Sequence, residues 1–358
     1  MTGAAMRGIP PCRMPAEWEP HDATWIAWPH HEPDWPGKFE PIHWVYAEIV
    51  RVLSGSERVE ILCHDEATRV KAAGFLEQNG VGATRYRLHK VANDRSWLRD
   101  SAPTAVHTTG GEIVWIQWRF NAWAKYDNYR LDEGVPRFIA EATGLERVEA
   151  LRPDNGLPFV LEGGGIDTDG GGTLLVTEEC FLSEQQCRNP GLSREGYEEA
   201  FARYLGIRKT VWLGRGCVGD DTHGHIDDLA RFVAPATVVL AYEDNVSDGN
   251  HEMSVDNLER LKRATDAAGR SLTVVTIPMP EPVLFGGERL PASYANFYIA
   301  NSVVVVPTFN DPNDRVVLAT LAGLFPNRRV VGIHCRDLIL GLGTLHCLSQ
   351  QQPAALGR

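Results

Sequence analysis

The chain has 358 residues, of which 43% are hydrophobic and 23% are charged, and it carries a formal net charge of −12. This composition is typical of a globular protein with enough apolar material for a large core. The acidic balance and the lack of any run of lysines and arginines argue against a nucleic-acid partner and favour a small cationic ligand.

Cysteine usage and the length of the apolar segments predict the compartment. The seven cysteines are odd in number and irregularly spaced, so they do not indicate a disulfide framework. No segment is long and apolar enough for a signal peptide or a membrane span. We therefore predict a cytoplasmic enzyme with reduced thiols and no membrane partner, for which assembly into a homo-oligomer stays open.

Strands and helices repeat in the same order along the first half of the chain. Residues 1–13 are predicted to be a flexible extension ahead of the first unit, which has a strand in DATWIAWP, a helix around 41–53 and the strand RVEILCH. The second unit has the hairpin SAPTAVHTTGGEIVWIQW, a helix near 133–143 and the strand ERVEAL. The third has the hairpin IDTDGGGTLLVTEEC, a helix between the N-cap Ser193 and the stop signal Gly206, and the strand KTVWL.

The last two units show the repeat most clearly. ARFVAPATVVLAYED precedes a helix and SLTVVTIP, and NFYIANSVVVVPTF precedes a helix and RRVVGIHC. Apolar residues recur at helical spacing in both helices, and we expect the first of these helices to begin at Ser254 as N-cap. The recurring residues are Val255, Leu258, Leu261 and Ala268 in the first helix and Val317, Leu318, Leu321 and Leu324 in the second.

The leading unit lacks the first strand of its hairpin, and the segment around residues 345–350 is the one that could supply it. Repeats that cannot bury their own faces, and that the two chain ends close, are typical of a radial arrangement. We therefore predict a single α/β domain over residues 1–358. Its fold would be a five-bladed, pseudo-fivefold ββαβ propeller closed by pairing of the chain termini.

Polar residues stand at equivalent places in these units. They are Asp100, Glu162, His225 with Asp227, and Cys347. Equivalent positions around a pseudo-fivefold axis converge on its centre, so we predict that these side chains share one site. Because side chains alternate along a strand, Asp227 would face the same way as His225. Asp228 would then face away and pair with an arginine such as Arg231.

A thiol, an imidazole and carboxylates together suit covalent cysteine catalysis on a cationic substrate. Cys347 is the predicted nucleophile, and the other six cysteines are interpreted as small buried hydrophobes. Structural roles compete with the catalytic ones: a hydrogen-bonded core histidine for His225, a turn cap for Asp100 and a solvated loop acid for Glu162. Since no second His-Cys pair has zinc-finger spacing, we predict no metal and no cofactor.

The order of several motifs resembles the agmatine deiminases, of the Porphyromonas-type peptidylarginine deiminase family in the guanidine-modifying pentein superfamily. The matching stretches are MPAEWEPHDATWIAWP, WLRDSAP, FNAW, LEGGGID, RNPGLS, GDDTHGHIDDLARFV, SYANFYIAN and GLGTLHC. The family often has Gly-Gly-Gly-Asn-Ile-His-Cys in the last stretch, where this chain has Leu342 and Thr344. The resemblance implies the ββαβ propeller and hydrolysis of agmatine to N-carbamoylputrescine and ammonia, within putrescine and polyamine biosynthesis.

The resemblance also implies a role for each matching residue. Cys347 would attack the guanidinium carbon, and His225 would protonate the departing ammonia and later deprotonate water. Asp100 and Asp227 would bind guanidinium nitrogens, and Glu162 would orient His225. These roles agree with the chemistry, because carboxylates fix the plane of a guanidinium and the intermediate would be an amidino thioether.

Two tryptophans are predicted to lie in the substrate pocket. The resemblance implies that Trp97 packs beside the planar guanidinium, and Trp123 is a second candidate for the pocket wall.

Several alternatives stay open. Free arginine, peptidyl arginine and dimethylarginine could be processed by the same chemistry, whereas agmatine, which lacks a carboxylate, needs no arginine clamp in its pocket. A propeller that only binds proteins would have an unreactive Cys347. A metal-dependent ureohydrolase would need two Asp/His clusters, and only the segment 223–227 resembles one.

Overall fold

A computed structural model describes residues 10–356 of the chain. The α-helices are α1 (Phe39–Leu53), α2 (Glu66–Gln78), α3 (Leu98–Ser101), α4 (Val135–Thr143), α5 (Glu178–Leu182), α6 (Arg194–Leu205), α7 (His251–Arg263) and α8 (Asn313–Leu324). The strands are β1 (Cys12–Arg13), β2 (His21–Ala27), β3 (Arg58–Cys63), β4 (Tyr86–Lys90), β5 (Thr104–Thr108), β6 (Ile113–Gln117), β7 (Glu146–Glu149), β8 (Asp167–Thr168), β9 (Thr173–Thr177), β10 (Lys209–Leu213), β11 (Ala230–Ala234), β12 (Thr237–Tyr242), β13 (Thr273–Pro278), β14 (Leu284–Phe285), β15 (Glu288–Arg289), β16 (Tyr298–Ile299), β17 (Val303–Thr308), β18 (Arg329–His334) and β19 (Ser349–Pro353).

Five sheets share one pairing pattern, in which an antiparallel pair of strands is extended by a parallel third strand. These triplets are β5-β6-β7, β8-β9-β10, β11-β12-β13, β16-β17-β18 and β19-β2-β3. β1 and β4 each add an edge strand, and β14 and β15 form a separate hairpin. The five triplets match the strand-strand-helix-strand units predicted from the sequence. Each sheet is open, and no closed sheet forms within residues 10–356.

A strand near the C-terminal end of the described residues pairs with one near their N-terminal end. β19 runs antiparallel to β2, with Ser349 opposite Ile26. The strand begins at Ser349, later than the predicted segment around 345–350, because residues 344–348 form the turn that carries Cys347. Cys347 therefore lies only two residues before β19, so the sheet restrains its backbone position.

The local helix signals were right for α6 and wrong for α7. Ser193 caps α6 by accepting a hydrogen bond from the Gly196 amide, and Gly206 ends it with φ of 69°. The predicted N-cap Ser254 lies inside α7, where its hydroxyl donates to the Asn250 carbonyl at 2.8 Å. Serine supports either geometry, so its presence alone could not fix the start of that helix.

The predicted flexible extension, residues 1–13, needs a correction where the structure describes it. Residues 1–9 lie outside the described residues. Cys12 and Arg13 pair with Thr108 and His107 as the strand β1, and the Met14 amide donates to the Leu205 carbonyl at 2.8 Å. These residues are therefore part of the domain.

The largest cluster of buried apolar residues extends to the site. It includes Trp28, Trp35 and Trp97, and it also contains Cys347. All seven cysteines lie among the described residues and none is in a disulfide bond. Within residues 10–356, no helix combines the length and the apolar character needed to cross a membrane.

Candidate active site

Cys347 lies in the turn before β19, and its thiol is held among polar groups. The side chain is 6% exposed. Its Sγ lies 3.0 Å from Asn296 Nδ2 and 3.6 Å from Asp227 Oδ2. The backbone of the turn is anchored by Arg99, whose amide donates to the Cys347 carbonyl at 3.1 Å. The predicted nucleophile therefore has a fixed position.

Asn296 organises this turn, and sequence reasoning gave it no role. Its Oδ1 accepts from the His346 amide at 3.0 Å and from the Thr344 hydroxyl at 2.8 Å, while its Nδ2 faces both Cys347 Sγ and Asp228. The segment SYANFYIAN contains Asn296 and was part of the resemblance, so the signal was present without an assignment. Thr344, one of the departures from the family motif, thus has a defined structural role.

His225 precedes a short 3-10 helix, Ile226–Asp228, and does not lie on a strand as predicted. The loop before it is tied by Asp220, whose carboxylate accepts from the amides of Thr222, Gly224 and His225 at 2.7–2.9 Å. Three amide donors to one carboxylate fix the direction in which the imidazole leaves the backbone.

The imidazole of His225 lies between two carboxylates. Nδ1 is 3.9 Å from Asp100 Oδ1, and Nε2 is 3.6 Å from Glu162 Oε2. Burial lowers the pKa of His225, but Asp100, Cys180 and Glu162 outweigh burial and bring the pKa well above its ordinary value. The surrounding carboxylates therefore favour the protonated imidazole, which can act as a proton donor.

Glu162 and Asp100 are buried, which removes the loop-acid role for Glu162. Glu162 accepts from Arg188 Nε at 3.2 Å, and Arg188 with His225 overcomes burial and lowers the pKa of Glu162. Asp100 lies on α3, where the sequence had suggested a strand. It accepts from the Gly164 amide at 3.0 Å and from the Trp123 indole at 2.8 Å.

Gly164 lies at the centre of this group and leaves no room for a side chain. A Cβ atom there would be 2.5 Å from His225 Nδ1, 2.9 Å from Asp100 Oδ1 and 3.1 Å from Asp227 Oδ2. These distances show that the three predicted residues converge on one point. They also explain why the turn after Glu162 consists of glycines.

Trp123 is held in an unusual backbone segment beside the site. Ala122, Trp123 and Ala124 all have positive φ, at 50°, 58° and 53°. Such a conformation costs on the order of 1 kcal/mol or more per residue that is not glycine. The strained segment directs the Trp123 indole toward Asp100. Trp123 therefore lies beside the site, where the sequence predicted a pocket wall.

The position of Asp228 contradicts the prediction that its side chain faces away from the site. It lies against Asn296, with its Oδ1 3.0 Å from Asn296 Nδ2, and ligand atoms of Asp227, Asp228 and Cys347 all lie within 4.8 Å of one another. The predicted alternation failed because the segment is a 3-10 helix. Arg231 pairs with Asp167 and Glu17 instead, at 2.9 Å each.

The electrostatics of the site are dominated by carboxylates. Burial, with the charges of Asp227 and Asp220, raises the pKa of Asp228 well above its usual range. Burial also raises the pKa of Asp100 to about 6, helped by Asp227 and Glu162. For Cys347, burial and then the charges of Asp227, Asp228 and Asp100 raise the thiol pKa well above its ordinary value. A cation bound among these groups would oppose each of these shifts.

A cavity of about 330 Å³ leads to the thiol. Cys347, Asp100, Trp97 and Trp123 line its inner end. His225, Asp227 and Glu162 lie directly beneath this lining. The outer end is polar and is lined by His31, Asp34, Arg95, Tyr126, Asn128, Asp221 and Thr222. The size suits a small molecule with one end at the thiol and the other at the polar rim.

The second departure from the family motif shapes the cavity wall. Leu342 lines the cavity and has φ of 67°, a conformation that glycine adopts without strain. The glycines on both sides are needed for space, since a Cβ at Gly341 or Gly343 would lie 2.7 Å or 2.9 Å from the Trp97 ring. Leu342 therefore narrows the cavity and adopts a strained backbone conformation to do so. Trp97 and Cys347 keep their places.

Two groups of buried side chains have the atom types that bind metals. They are Glu162, Cys180 and His225, and Asp227, Asp228 and Cys347, with the ligand atoms of each group within 4.8 Å. In each group one atom already has a partner in the site, Arg188 on Glu162 and Asn296 on Cys347, whereas the ring nitrogens of His225 and Asp227 Oδ1 have no hydrogen-bond partner among residues 10–356. The donor set suits a positively charged guanidinium equally well, because its flat edges carry several N–H groups.

Comparison with known proteins gives consistent matches. The family described as Porphyromonas-type peptidyl-arginine deiminase matches residues 13–353. An agmatine deiminase from Ectopseudomonas mendocina is 35% identical, over 96% of this chain and 96% of the relative.

Solved structures agree along nearly the whole chain. The agmatine deiminase of Enterococcus faecalis superposes with a TM-score of 0.87 and 30% identity, covering 96% of each chain. A cysteine-to-serine variant of the C. jejuni agmatine deiminase with substrate bound gives a TM-score of 0.85 and 25% identity, covering 99% of this chain and 100% of that one.

Proposed function

The chain belongs to the Porphyromonas-type peptidyl-arginine deiminase family, and we propose that it is an agmatine deiminase. It hydrolyses agmatine to N-carbamoylputrescine and ammonia through a covalent amidino-cysteine intermediate, a step toward putrescine. Relatives of that name match nearly the whole chain. The observation that carries the proposal is the buried thiol of Cys347, 3.6 Å from Asp227, at the inner end of a cavity that Asp100 also lines.

The inner carboxylates are suited to bind a guanidinium ion. Asp227 Oδ1 is buried and has no hydrogen-bond partner among residues 10–356. Burial and the charge of Asp227 raise the pKa values of both Asp100 and Asp228, so a cation bound beside Asp227 opposes both shifts. Asp100 and Asp227 accept from the guanidinium nitrogens in our proposal, and Trp97 packs against the plane.

Substrate binding also activates the nucleophile. The same carboxylates that raise the pKa of the Cys347 thiol are neutralised by the bound guanidinium, so the thiolate becomes accessible where the electrophilic carbon lies. The Sγ–C bond forms while a C–N π pair moves to nitrogen. The His225 imidazolium gives its proton to the leaving nitrogen, the C–N bond breaks and ammonia departs.

The second half of the reaction uses the neutral imidazole of His225. It takes a proton from water, and the resulting hydroxide adds to the amidino carbon. The C–S bond then breaks and the pair returns to sulfur, while the hydroxyl proton passes to the sulfur, so that the neutral ureido product leaves and the thiol is restored. Glu162 and Asp100, at 3.6 and 3.9 Å from the ring, stabilise its charged form in the first half.

The rim of the cavity fits the tail of agmatine. Arg95 lines the rim, but its Nη1 donates to Asp34 at 2.8 Å and its Nη2 donates to Asn128 at 2.6 Å. An arginine engaged in this way offers little to a substrate carboxylate. Asp221 supplies a further carboxylate there, bonded to Tyr126 at 2.7 Å and to Lys125. These contacts favour a cationic tail over the α-carboxylate of arginine.

Free L-arginine is the second candidate, because Arg95 does line the cavity. The test is ammonia release by the purified protein from agmatine, L-arginine, dimethylarginine and an arginine-containing peptide. We expect the highest kcat/KM for agmatine. A higher kcat/KM for L-arginine would mean that the protein is an arginine deiminase. If no guanidine releases ammonia and Cys347 stays unlabelled, the protein is a binding protein.

A chelation experiment separates this chemistry from that of a metal-dependent ureohydrolase. The steps above use a thiol, an imidazole and carboxylates of the chain for every bond change, so activity is expected to survive exhaustive EDTA treatment. Loss of activity that zinc or manganese restores would favour the ureohydrolase.

We also propose that the five sheets are the blades of a ββαβ propeller around a pseudo-fivefold axis. The shared pairing pattern and the β19–β2 pairing support this arrangement. In it, one domain surrounds the site, and the site side chains come from four units, with His225 and Asp227 in the same one.

A further inference from the structure

His346 lies between two buried carboxylates, directly before the nucleophile in sequence. Its Nδ1 is 2.7 Å from Asp227 Oδ2, and its Nε2 is 2.8 Å from Glu17 Oε2. The side chain is 2% exposed. Ionised carboxylates only accept hydrogen bonds, so both ring nitrogens must donate. This geometry requires an imidazolium.

Glu17 is itself fixed as an anion by the surrounding chain. Arg231 Nη2 lies 2.9 Å from its Oε1, Arg99 Nη2 lies 3.4 Å from its Oε2, and the Ile299 amide donates to it at 2.8 Å. Burial raises the pKa of Glu17, but Arg231, His346 and Arg99 bring it well below its usual range. His346 therefore faces a permanent negative charge on the side away from the substrate.

Asp227 depends on His346 more than on any other cation. Burial raises the pKa of Asp227, and the hydrogen bond and charge of His346 are the largest effects that lower it, followed by His225 and Arg231. The groups that act in the opposite direction are Asp228, Asp100 and the thiol, all close to it. Without the cation at His346, Asp227 would be one of three crowded acids.

We infer that His346 is a positioning residue whose imidazolium, bridging Glu17 and Asp227, keeps Asp227 ionised and aimed at the guanidinium. The inference rests on the proposed function, since it concerns the carboxylate that binds the substrate. It excludes His346 as the proton shuttle, because both of its N–H groups are already engaged. It also gives the segment around Glu17, remote in sequence, a part in the site.

The kinetic test is His346→Gln, which keeps a donor toward Asp227 and removes the charge. We expect kcat/KM for agmatine to fall roughly 10–100-fold, as is typical when a partner that orients a binding group is lost. Most of the loss should appear in KM. The acidic limb of the kcat/KM profile should move to higher pH, because Asp227 loses the cation that lowers its pKa.

The matched control is His21→Gln. His21 is another buried histidine bonded to a buried carboxylate, Glu57, at 3.1 Å, and it does not line the cavity. We expect His21→Gln to lower the stability of the protein about as much as His346→Gln does. The pH dependence of its kcat/KM should stay unchanged. If His346→Gln keeps the wild-type KM and pH profile, or loses only kcat, the positioning role is wrong.

A spectroscopic test does not depend on the reaction. In ¹⁵N-histidine-labelled protein under the conditions of the kinetic assay, the resonances that disappear in His346→Gln should show both ring nitrogens protonated. A neutral tautomer would overturn the inference even if agmatine is turned over. Glu17→Gln provides a second variant should His346→Gln fail to fold, and because it removes the anion that faces His346 Nε2, it should raise the KM for agmatine in the same direction. Failure of the wild-type protein to release ammonia would instead overturn the proposed function, leaving this measurement intact.

Discussion

The inner end and the rim of the cavity both contain carboxylates, but they are balanced differently. At the rim, Asp34 lies 2.8 Å from Arg95, and Asp221 is bonded to Lys125. At the inner end, Asp228 and Asp100 have raised pKa values, and Asp227 keeps a buried oxygen without a partner among the described residues. The rim carboxylates are paired with Arg95 and Lys125, although Asp34 Oδ2 also lacks a hydrogen-bond partner among the described residues, whereas the inner end would be completed by the proposed guanidinium.

This difference assigns separate tasks to the two ends. Burying carboxylates close together is costly, so we expect the inner end to gain most from a bound guanidinium, and we propose that the reaction takes place there. Because the charges at the rim are already paired, the rim distinguishes substrate tails by small differences in binding free energy. Substitutions at the inner end should therefore affect rate strongly, and substitutions at the rim should change substrate preference.

Removal of the nucleophile should have the largest effect. Cys347→Ser is expected to abolish turnover and leave the fold intact, because a hydroxyl is a far weaker nucleophile than a thiolate. The control is Cys335→Ser, since Cys335 also follows a histidine and is buried but does not line the cavity. An electrophilic amidine should label Cys347 in preference to the other cysteines, as mass spectrometry of tryptic peptides can show. Equal labelling of several cysteines would contradict the assignment.

Loss of the proton shuttle should come next. His225→Asn removes the group that protonates ammonia and activates water, and such groups contribute about 10²–10⁴-fold. Agmatine should still bind, and intact-protein mass spectrometry should detect an amidino adduct on Cys347 if hydrolysis slows more than attack. His223→Asn is the control, because His223 is two residues away and contacts Ser183. Near wild-type turnover by His225→Asn would require another shuttle.

The two adjacent aspartates at the inner end should respond differently. Asp227→Asn removes a charge-assisted contact of about 1.5–3 kcal/mol, so kcat/KM should fall roughly 10–150-fold with weaker substrate binding. Asp228→Asn should cost less, because burial and the charge of Asp227 already disfavour the charged form of Asp228. Steady-state kinetics and isothermal titration with agmatine measure both. Equal losses would mean that the two carboxylates share the charge.

The sequence predicted the repeated strand and helix units, which the five sheets match, because hydrophobic periodicity can be read without coordinates. Motif order also singled out six residues that the structure brings close together, and their roles stay predictions. It failed where a side-chain direction depended on local geometry. Asp228 was directed away from the site on the assumption of a strand, and the 3-10 helix turned it toward Asn296. Glu17, Asn296 and the rim pair of Asp34 and Arg95 were not assigned, since only packing between distant segments brings them to the cavity.

The smallest expected effect tests the rim. Asp34→Asn removes the anion that engages Arg95 Nη1 and leaves the guanidinium of Arg95 with a neutral amide neighbour. Arg95 also lies 4.5 Å from the centre of the Tyr126 ring, which holds it in place beside the cavity. A freed arginine there should attract a carboxylate and repel an ammonium, so the ratio of kcat/KM for agmatine to that for L-arginine should fall about tenfold, the value of one charge-assisted contact. The absolute rate of amidino-enzyme formation once the substrate is bound should change little, since the inner end is untouched.

Asp221→Asn is the matched control, because it removes a rim carboxylate that is bonded to Lys125 and Tyr126 but not to Arg95. If both variants alter the ratio equally, the total charge of the rim decides the preference; if only Asp34→Asn does, the restraint on Arg95 decides it, and an unchanged ratio in both would place discrimination at the inner end.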